Sequence, residues 1–259
     1  MALSVCCQKG GTGKTLLATN LALGFAQAGK RTLLLDMDPQ GNASSILAPR
    51  AGAGAGAAEL ILGRVGLTDC TIPSPHHKNL HLIPAGKTLA DAAVLLAGET
   101  GRDLRIRHAL IGSDFDEVVI DCPPGRDLLS LNSLAASRCF LLVTDPSPFG
   151  AAGLQGLIDL ADGVRKFLPQ SDSPQAPELA GVVLNRVQRG KVHQQAVESI
   201  RQHFGSRLLA VLPHAIAVDA ANWNLEPLLI HAPESPVADG LQAIIKRLLS
   251  MGGTHNAAA

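Results

Sequence analysis

The feature that most restricts this chain is a heptapeptide, K-G-G-T-G-K-T at residues 9–15, set between an apolar run and a helical pattern. The preceding run, 3–7, reads as a short buried strand. The following segment, 14–28, has apolar residues at helical spacing and stops at Gly29, a residue suited to a helix C-terminus. Strand, glycine-rich turn and helix in that order make a phosphate-binding loop. Without side chains, glycines let backbone N–H groups close around phosphate oxygens, and the helix N-terminus adds a partial positive charge. In this reading Gly10, Gly11, Thr12 and Gly13 supply the backbone cradle and Leu16 lies in the first helical turn. Lys14 reaches the β- and γ-phosphates, and the Thr15 hydroxyl holds Mg²⁺. The full frame G-x-x-x-x-G-K-[ST] requires Gly where this chain has Gln8, so only G-G-T-G-K-T survives of it. One lysine suffices for such a loop, and Lys9 is a second.

The rest of the chain repeats the same alternation. R-T-L-L-L-D-M-D (31–38), L-H-L-I-P (80–84), E-V-V-I-D (117–121), C-F-L-L-V-T (139–144), L-A-G-V-V-L-N (179–185) and R-L-L-A-V-L-P (207–213) are continuous apolar runs, mostly separated by helical patterns. Strands apolar on both faces, alternating with helices, predict a doubly wound, mostly parallel α/β sheet flanked by helices. No repeat and no second domain is visible, so 1–259 reads as one P-loop domain. The A-G-A-G-A-G-A-A stretch (51–58) reads as a surface loop or weak helix start, Q-S-D-S-P-Q-A-P (170–177) as a loop, and about 252–259 as a disordered tail.

Composition narrows the function classes. The formal net charge is zero, so any attraction to nucleic acid must come from a local patch. Aromatics are 3% of residues, which leaves little for base stacking. The five cysteines include no C-x-x-C and no zinc spacing, and Cys6, Cys122 and Cys139, in or beside apolar runs, read as small core residues in a reducing compartment. No apolar stretch approaches the roughly 18 residues of a spanning helix, and the opening residues do not read as a signal peptide. The expectation is a soluble, cytoplasmic protein.

Asp36 and Asp38 close the second strand, and Asp121 closes E-V-V-I-D, where a Walker B acid belongs. K-G-G-T-G-K-T, with D-M-D-P-Q-G-N (36–42), V-V-I-D-C-P-P-G (118–125) and the later V-L-N-R and V-L-P segments, resembles the ParA/MinD family of deviant Walker A ATPases, the ParA branch in particular. The resemblance runs in order over nearly the whole chain. It implies that Lys9 is the signature lysine that crosses to a partner subunit's nucleotide, so that ATP and Mg²⁺ promote a homodimer. It implies that Asp38 positions the attacking water, that Asp36 supports the metal site, and that Asp121 binds Mg²⁺ through water. Catalysis would then rest on Lys9, Lys14 and Asp38, and metal binding on Thr15, Asp36 and Asp121. By the same resemblance Asn185 meets the adenine edge, and the segment at Pro213 and His214 closes over the base. The working state would be the ATP dimer, with slow hydrolysis stimulated by a separately encoded adaptor protein. The cargo moved over the nucleoid would be a plasmid, a chromosome or a protein assembly.

Non-specific DNA is the expected surface for such a dimer, through Arg186, Arg189, Lys191 and Arg201, with Arg207 nearby. One departure stands out: family members often carry arginines after the Pro of V-L-P, whereas this chain reads H-A-I-A-V-D-A. Two alternatives remain. A C-terminal stripe of Leu241, Ile244, Ile245, Leu248 and Met251 would suit a MinD-like membrane helix, although packing on the sheet is the expected use. Cys122 and Cys139 would have to meet across two subunits in an iron–sulfur carrier or reductase.

Overall fold

The computed structural model of the chain describes residues 1–49, 54–86, 88–168 and 177–253. Eight strands form one sheet: β1 (Ala2–Cys6), β2 (Thr32–Asp36), β3 (Ile72–Pro73), β4 (Leu80–Ile83), β5 (Glu117–Asp121), β6 (Cys139–Thr144), β7 (Glu178–Val187) and β8 (Leu208–Pro213). Their spatial order is β3-β4-β2-β5-β1-β6-β7-β8. Every pairing is parallel except β3 with β4 at one edge, so the sheet is mostly parallel, as the apolar runs predict.

The helices fall on two faces. They are α1 (Lys14–Gln27), α2 (Asn42–Leu47), α3 (Ala57–Ile61), α4 (Leu67–Cys70), α5 (Leu89–Leu96), α6 (Arg105–Ala109), α7 (Leu128–Ala135), α8 (Pro148–Phe167), α9 (Lys191–Phe204), α10 (Ile216–Trp223), α11 (Leu228–His231) and α12 (Pro236–Gly253). Successive side chains of a strand point to opposite faces. Leu34 thus joins a core shared with α1, α2, α11 and α12. Leu33 and Leu35 join a second core under α3, α5, α7 and α8. Both faces are apolar because both are covered, which is why these strands show no polar alternation.

Helix α1 is buried on nearly every side, and two glycines allow α12 to pack closely on it and on β8. A Cβ at Gly24 would lie 2.3 Å from Ile245 Cδ1, so α12 can sit directly on α1. A Cβ at Gly240 would meet Leu212 Cδ2 at the same separation, which brings α12 onto β8. This packing uses the C-terminal stripe: Leu241, Ile244, Ile245 and Leu248 are buried in the first core, and only Met251 is substantially exposed. The stripe is a core face, not a surface left for lipid. Among the described residues no helix is long and apolar enough to cross a membrane.

Several expectations meet only part of the structure. Helix α3 begins at Ala57, inside the alanine–glycine stretch, whose residues 51–53 lie outside the described residues. The same holds for 170–176 of the Pro/Ser segment and 254–259 of the tail, while α12 continues through Gly252 and Gly253.

Candidate nucleotide site

The chain leaves β1 at the middle of the sheet, with β5 on one side and β6 on the other. Later connections run outward in both directions from here. The strand ends therefore part at this point, and open α/β sheets place their ligands in such a crevice. The glycine-rich loop fills it. Gly11 and Gly13 have φ of +79° and +97°, left-handed values that L-residues rarely adopt, and α1 begins at Lys14 directly behind them. A cavity of about 610 Å³ opens over the loop. Gly10, Gly11, Gly13, Lys14, Thr15 and Leu16 form its floor.

Beneath the loop lies an ion cluster that the sequence implies only in outline. Lys14 Nζ donates to Asp121 Oδ1 at 2.6 Å and stands 3.2 Å from Asp38 Oδ2. Thr15 Oγ1 donates to Asp121 Oδ2 at 2.9 Å. Burial by itself disfavours the Lys14 ammonium, but the charge and hydrogen bond of Asp121 and the charge of Asp38 outweigh it, and its pKa rises. Burial raises the pKa of Asp121, opposed by the Lys14 charge and by the bonds from Lys14 and Thr15. Asp36 is pushed up to about 7 by burial and by the Asp121 charge, against two hydrogen bonds from Ser44. Two carboxylates, Asp38 and Asp121, share the one Lys14 ammonium.

The acids divide into two kinds. Asp38 is in the cavity wall, where its Oδ1 also accepts the Gln40 N–H at 3.1 Å. Asp36 is behind the wall. Its Oδ2 accepts the N–H and Oγ–H of Ser44 at 2.8 and 2.6 Å, and its Oδ1 accepts the Asp38 N–H at 3.2 Å. Both oxygens of Asp36 are thus spent on the turn that carries Asp38 and on the start of α2. Among the described residues no group of three or more His, Cys, Asp and Glu side chains builds a metal cage. The donors present are a hydroxyl on Thr15 and a carboxylate on Asp121, both hard oxygens. That set fits a Mg²⁺ completed by nucleotide phosphates and water, and Thr15 with Asp121 would hold it. Bound there, the ion would neutralise phosphate charge.

Another side of the cavity comes from β7, β8 and α10. Asn185 ends the buried part of β7, and its Nδ2 donates to the Thr12 carbonyl at 2.8 Å. Pro213, His214 and Asn185 all line the cavity. Asp219 and Asn222 of α10 line it too, and nothing in the sequence pattern marked them. Gln40 and Asn42, within the quoted D-M-D-P-Q-G-N, complete the opposite rim. Lys9 is outside this wall. Its side chain is 66% exposed, with Nζ 3.6 Å from Asp145 Oδ2.

The basic residues proposed as one patch stand in three places. Arg186 belongs to the nucleotide cavity. Arg189 and Lys191 are exposed beside the cavity-side end of β7. Arg201 lies at the far end of α9, paired with Glu198 at 3.4 Å, and Arg207 follows it. A helix returning antiparallel to its strand carries its last turn to the opposite end of the strands. The two cysteines of the carrier alternative are separated for a similar reason. Cys122 follows the end of β5 and Cys139 begins β6, both buried.

A family model described as an AAA domain matches residues 1–171. The chromosome partitioning protein ParA of Myxococcus xanthus is 32% identical over 247 residues, covering 93% of this chain and 85% of its own. The chain belongs to the ParA/MinD family of P-loop ATPases. The chromosome-partitioning ATPase Soj of Thermus thermophilus is 33% identical over 247 residues, 94% of this chain and 93% of its own. The fold agrees: an ATP complex of McdA from Cyanothece superposes with a TM-score of 0.83 at 21% identity, over 96% of each chain. As a ParA/MinD ATPase the chain has ATP with Mg²⁺ as its cofactors.

Gly13 gives a direct check of the loop geometry. A Cβ there would lie 2.0 Å from Asn185 Nδ2, on a backbone with φ +97°. Gly13→Ala should therefore displace Asn185 and strain the loop. The left-handed conformation alone costs about 1–2 kcal/mol, readable as a lower urea midpoint, and nucleotide affinity should fall with it. An unchanged midpoint and affinity would mean that the loop adopts another path.

Proposed function

We propose that this ATPase is a ParA-type positioning switch. Its ATP-bound homodimer binds DNA without sequence preference, and a separately encoded adaptor stimulates slow hydrolysis to release it. The observation that carries the reading is the contrast between the two lysines. Lys14 is buried among Asp38 and Asp121, while Lys9, from the same loop, is exposed beside the cavity. A cation held outside its own pocket is placed to complete another, and phosphate charge makes that pairing depend on bound ATP. Asp38, in the cavity wall, is the group we assign to the attacking water, with Thr15 and Asp121 at the metal and Asp36 bracing the turn that carries Asp38. We assign Asn185, Pro213 and His214 to the base.

Arg189 and Lys191 supply the DNA contact in this scheme. Both are exposed at the cavity end of the sheet, so a two-fold dimer closing over its nucleotides doubles them on one side. A few phosphate contacts of this kind give salt-sensitive binding without base readout. The ParA and Soj relatives bear chromosome partitioning in their names, which supports a DNA cargo or a cargo carried over DNA.

The test is sedimentation with plasmid DNA, with and without ATP and Mg²⁺, at rising salt. Wild type should be dimeric and DNA-bound only with ATP, and released as salt rises. Lys9→Ala should bind ATP yet remain monomeric and unbound. Arg189→Glu should dimerise but retain less DNA. A dimer that survives Lys9→Ala undiminished refutes the exchange of lysines, and DNA binding indifferent to ATP refutes the switch.

A further inference from the structure

Arg186 was expected on a DNA surface; the structure shows it exposed at the rim of the cavity. Its backbone has φ +60°, and Arg186 and Leu225 are the two non-glycine residues with positive φ among those described. An arginine has no local reason to adopt this left-handed conformation, which costs free energy wherever a Cβ is present. The conformation has a consequence for the side chain. The guanidinium turns back along the strand end, and Nη1 donates to the Gly11 carbonyl at 2.9 Å. The residue before it, Asn185, donates to the next carbonyl of the same loop, that of Thr12, at 2.8 Å. Two consecutive residues of β7 therefore grip two consecutive carbonyls of the phosphate loop. Both side chains also line the cavity.

We propose that Arg186 is a positioning residue of the nucleotide site: with Asn185 it clamps the phosphate loop from its carbonyl side and slows nucleotide release. A phosphate loop binds through N–H groups, and each peptide that turns its N–H toward the phosphate turns its carbonyl away. Holding the Gly11 and Thr12 carbonyls from outside fixes the N–H groups inside. The need is greatest here because Gly10 and Gly11 have no side-chain packing to restrain them: a Cβ at either would meet nothing within 4 Å. The bond from a charged guanidinium is of the stronger class, and the same cation stands at the wall of a cavity that takes a polyanion. The clamp also ties the base side of the site to its phosphate side through one strand end. The backbone strain at Arg186 is then the cost of aiming this side chain at Gly11.

This inference rests on the nucleotide-binding reading of the cavity, and the test separates the two. Arg186→Gly removes the guanidinium and suits a left-handed backbone, so the variant should fold with a thermal midpoint equal to or above that of wild type. Its release of a fluorescent ATP analogue, measured by stopped flow with Mg²⁺, should be about tenfold faster, the size expected for losing one charge-assisted bond. Arg186→Lys, which keeps the charge, should recover part of that loss. A wild type that binds no analogue sinks both readings. Wild-type binding with an unchanged off-rate in Arg186→Gly sinks the clamp alone. A lowered thermal midpoint in Arg186→Gly also overturns it, because the arginine would then be a structural residue.

Discussion

Lys14→Ala should abolish nucleotide binding, with a loss of affinity that titration calorimetry should place at about a thousandfold or more, the size expected for removing the buried charge partner this reading gives the phosphates. The structure adds a second consequence that the motif alone does not reveal. Lys14 is 6% exposed and is the cation within bonding reach of Asp121, which is wholly buried, and of Asp38. Its removal leaves two carboxylates facing each other in a poorly solvated pocket, with Asp36 close behind. Breaking a buried pair in this way typically costs about 3–5 kcal/mol. Protonation relieves part of the cost, because burial already moves Asp36 and Asp121 toward their neutral forms. The urea midpoint of the variant should therefore fall well below that of wild type. The midpoint must be measured beside the affinity, so that lost binding is not mistaken for lost fold. A folded Lys14→Ala protein that keeps its affinity within about threefold of wild type would remove the loop from the phosphate site altogether.

Asp38→Ala should do the reverse: keep ATP and lose turnover. Asp38 shares Lys14 with Asp121, so its removal leaves Lys14 bonded to Asp121 at 2.6 Å and the loop undisturbed. The change also removes one negative charge from a cavity meant for a polyanion, which favours the triphosphate if it alters affinity at all. What disappears is the carboxylate in the wall that can orient a water, an effect of about a hundredfold to ten-thousandfold in rate for a positioned acid–base group. With hydrolysis stopped and binding intact, gel filtration with ATP and Mg²⁺ should show a persistent dimer, and phosphate release should be near the uncatalysed level. If the variant elutes as a monomer with ATP, dimerisation is not coupled to the bound triphosphate. If it hydrolyses ATP at close to the wild-type rate, the water is held by another group. Read together, the two substitutions separate capture of the nucleotide from its use.

Much of this site was legible in advance because its parts are local. A strand, three glycines, a lysine and a threonine occupy consecutive positions, and their geometry follows from φ preferences and the helix start. Gly13 illustrates how far such reasoning extends. Its need for a left-handed backbone is readable from the loop, but its closest constraint, Asn185 Nδ2, comes from a residue 172 positions later in the chain. Arg186 illustrates where local reasoning fails. Counted along the sequence it joins Arg189 and Lys191 as one basic run, yet a positive φ turns it toward Gly11. Asp219 and Asn222 carried no signal, because an amphipathic helix does not state what its polar face will meet.

The sequence by itself determined the sheet, the helices around it, the phosphate loop and the family, since continuous apolar runs and a glycine-rich turn constrain the backbone without help from distant residues. Tertiary structure alone decided which side chains share a pocket. It set Lys14 between Asp38 and Asp121, withdrew Asp36 behind the wall, brought Arg186 to the rim of the cavity and dispersed the remaining basic residues. The physical reason is that charge interactions depend on distance and burial, and neither exists until strands far apart in the chain are laid side by side.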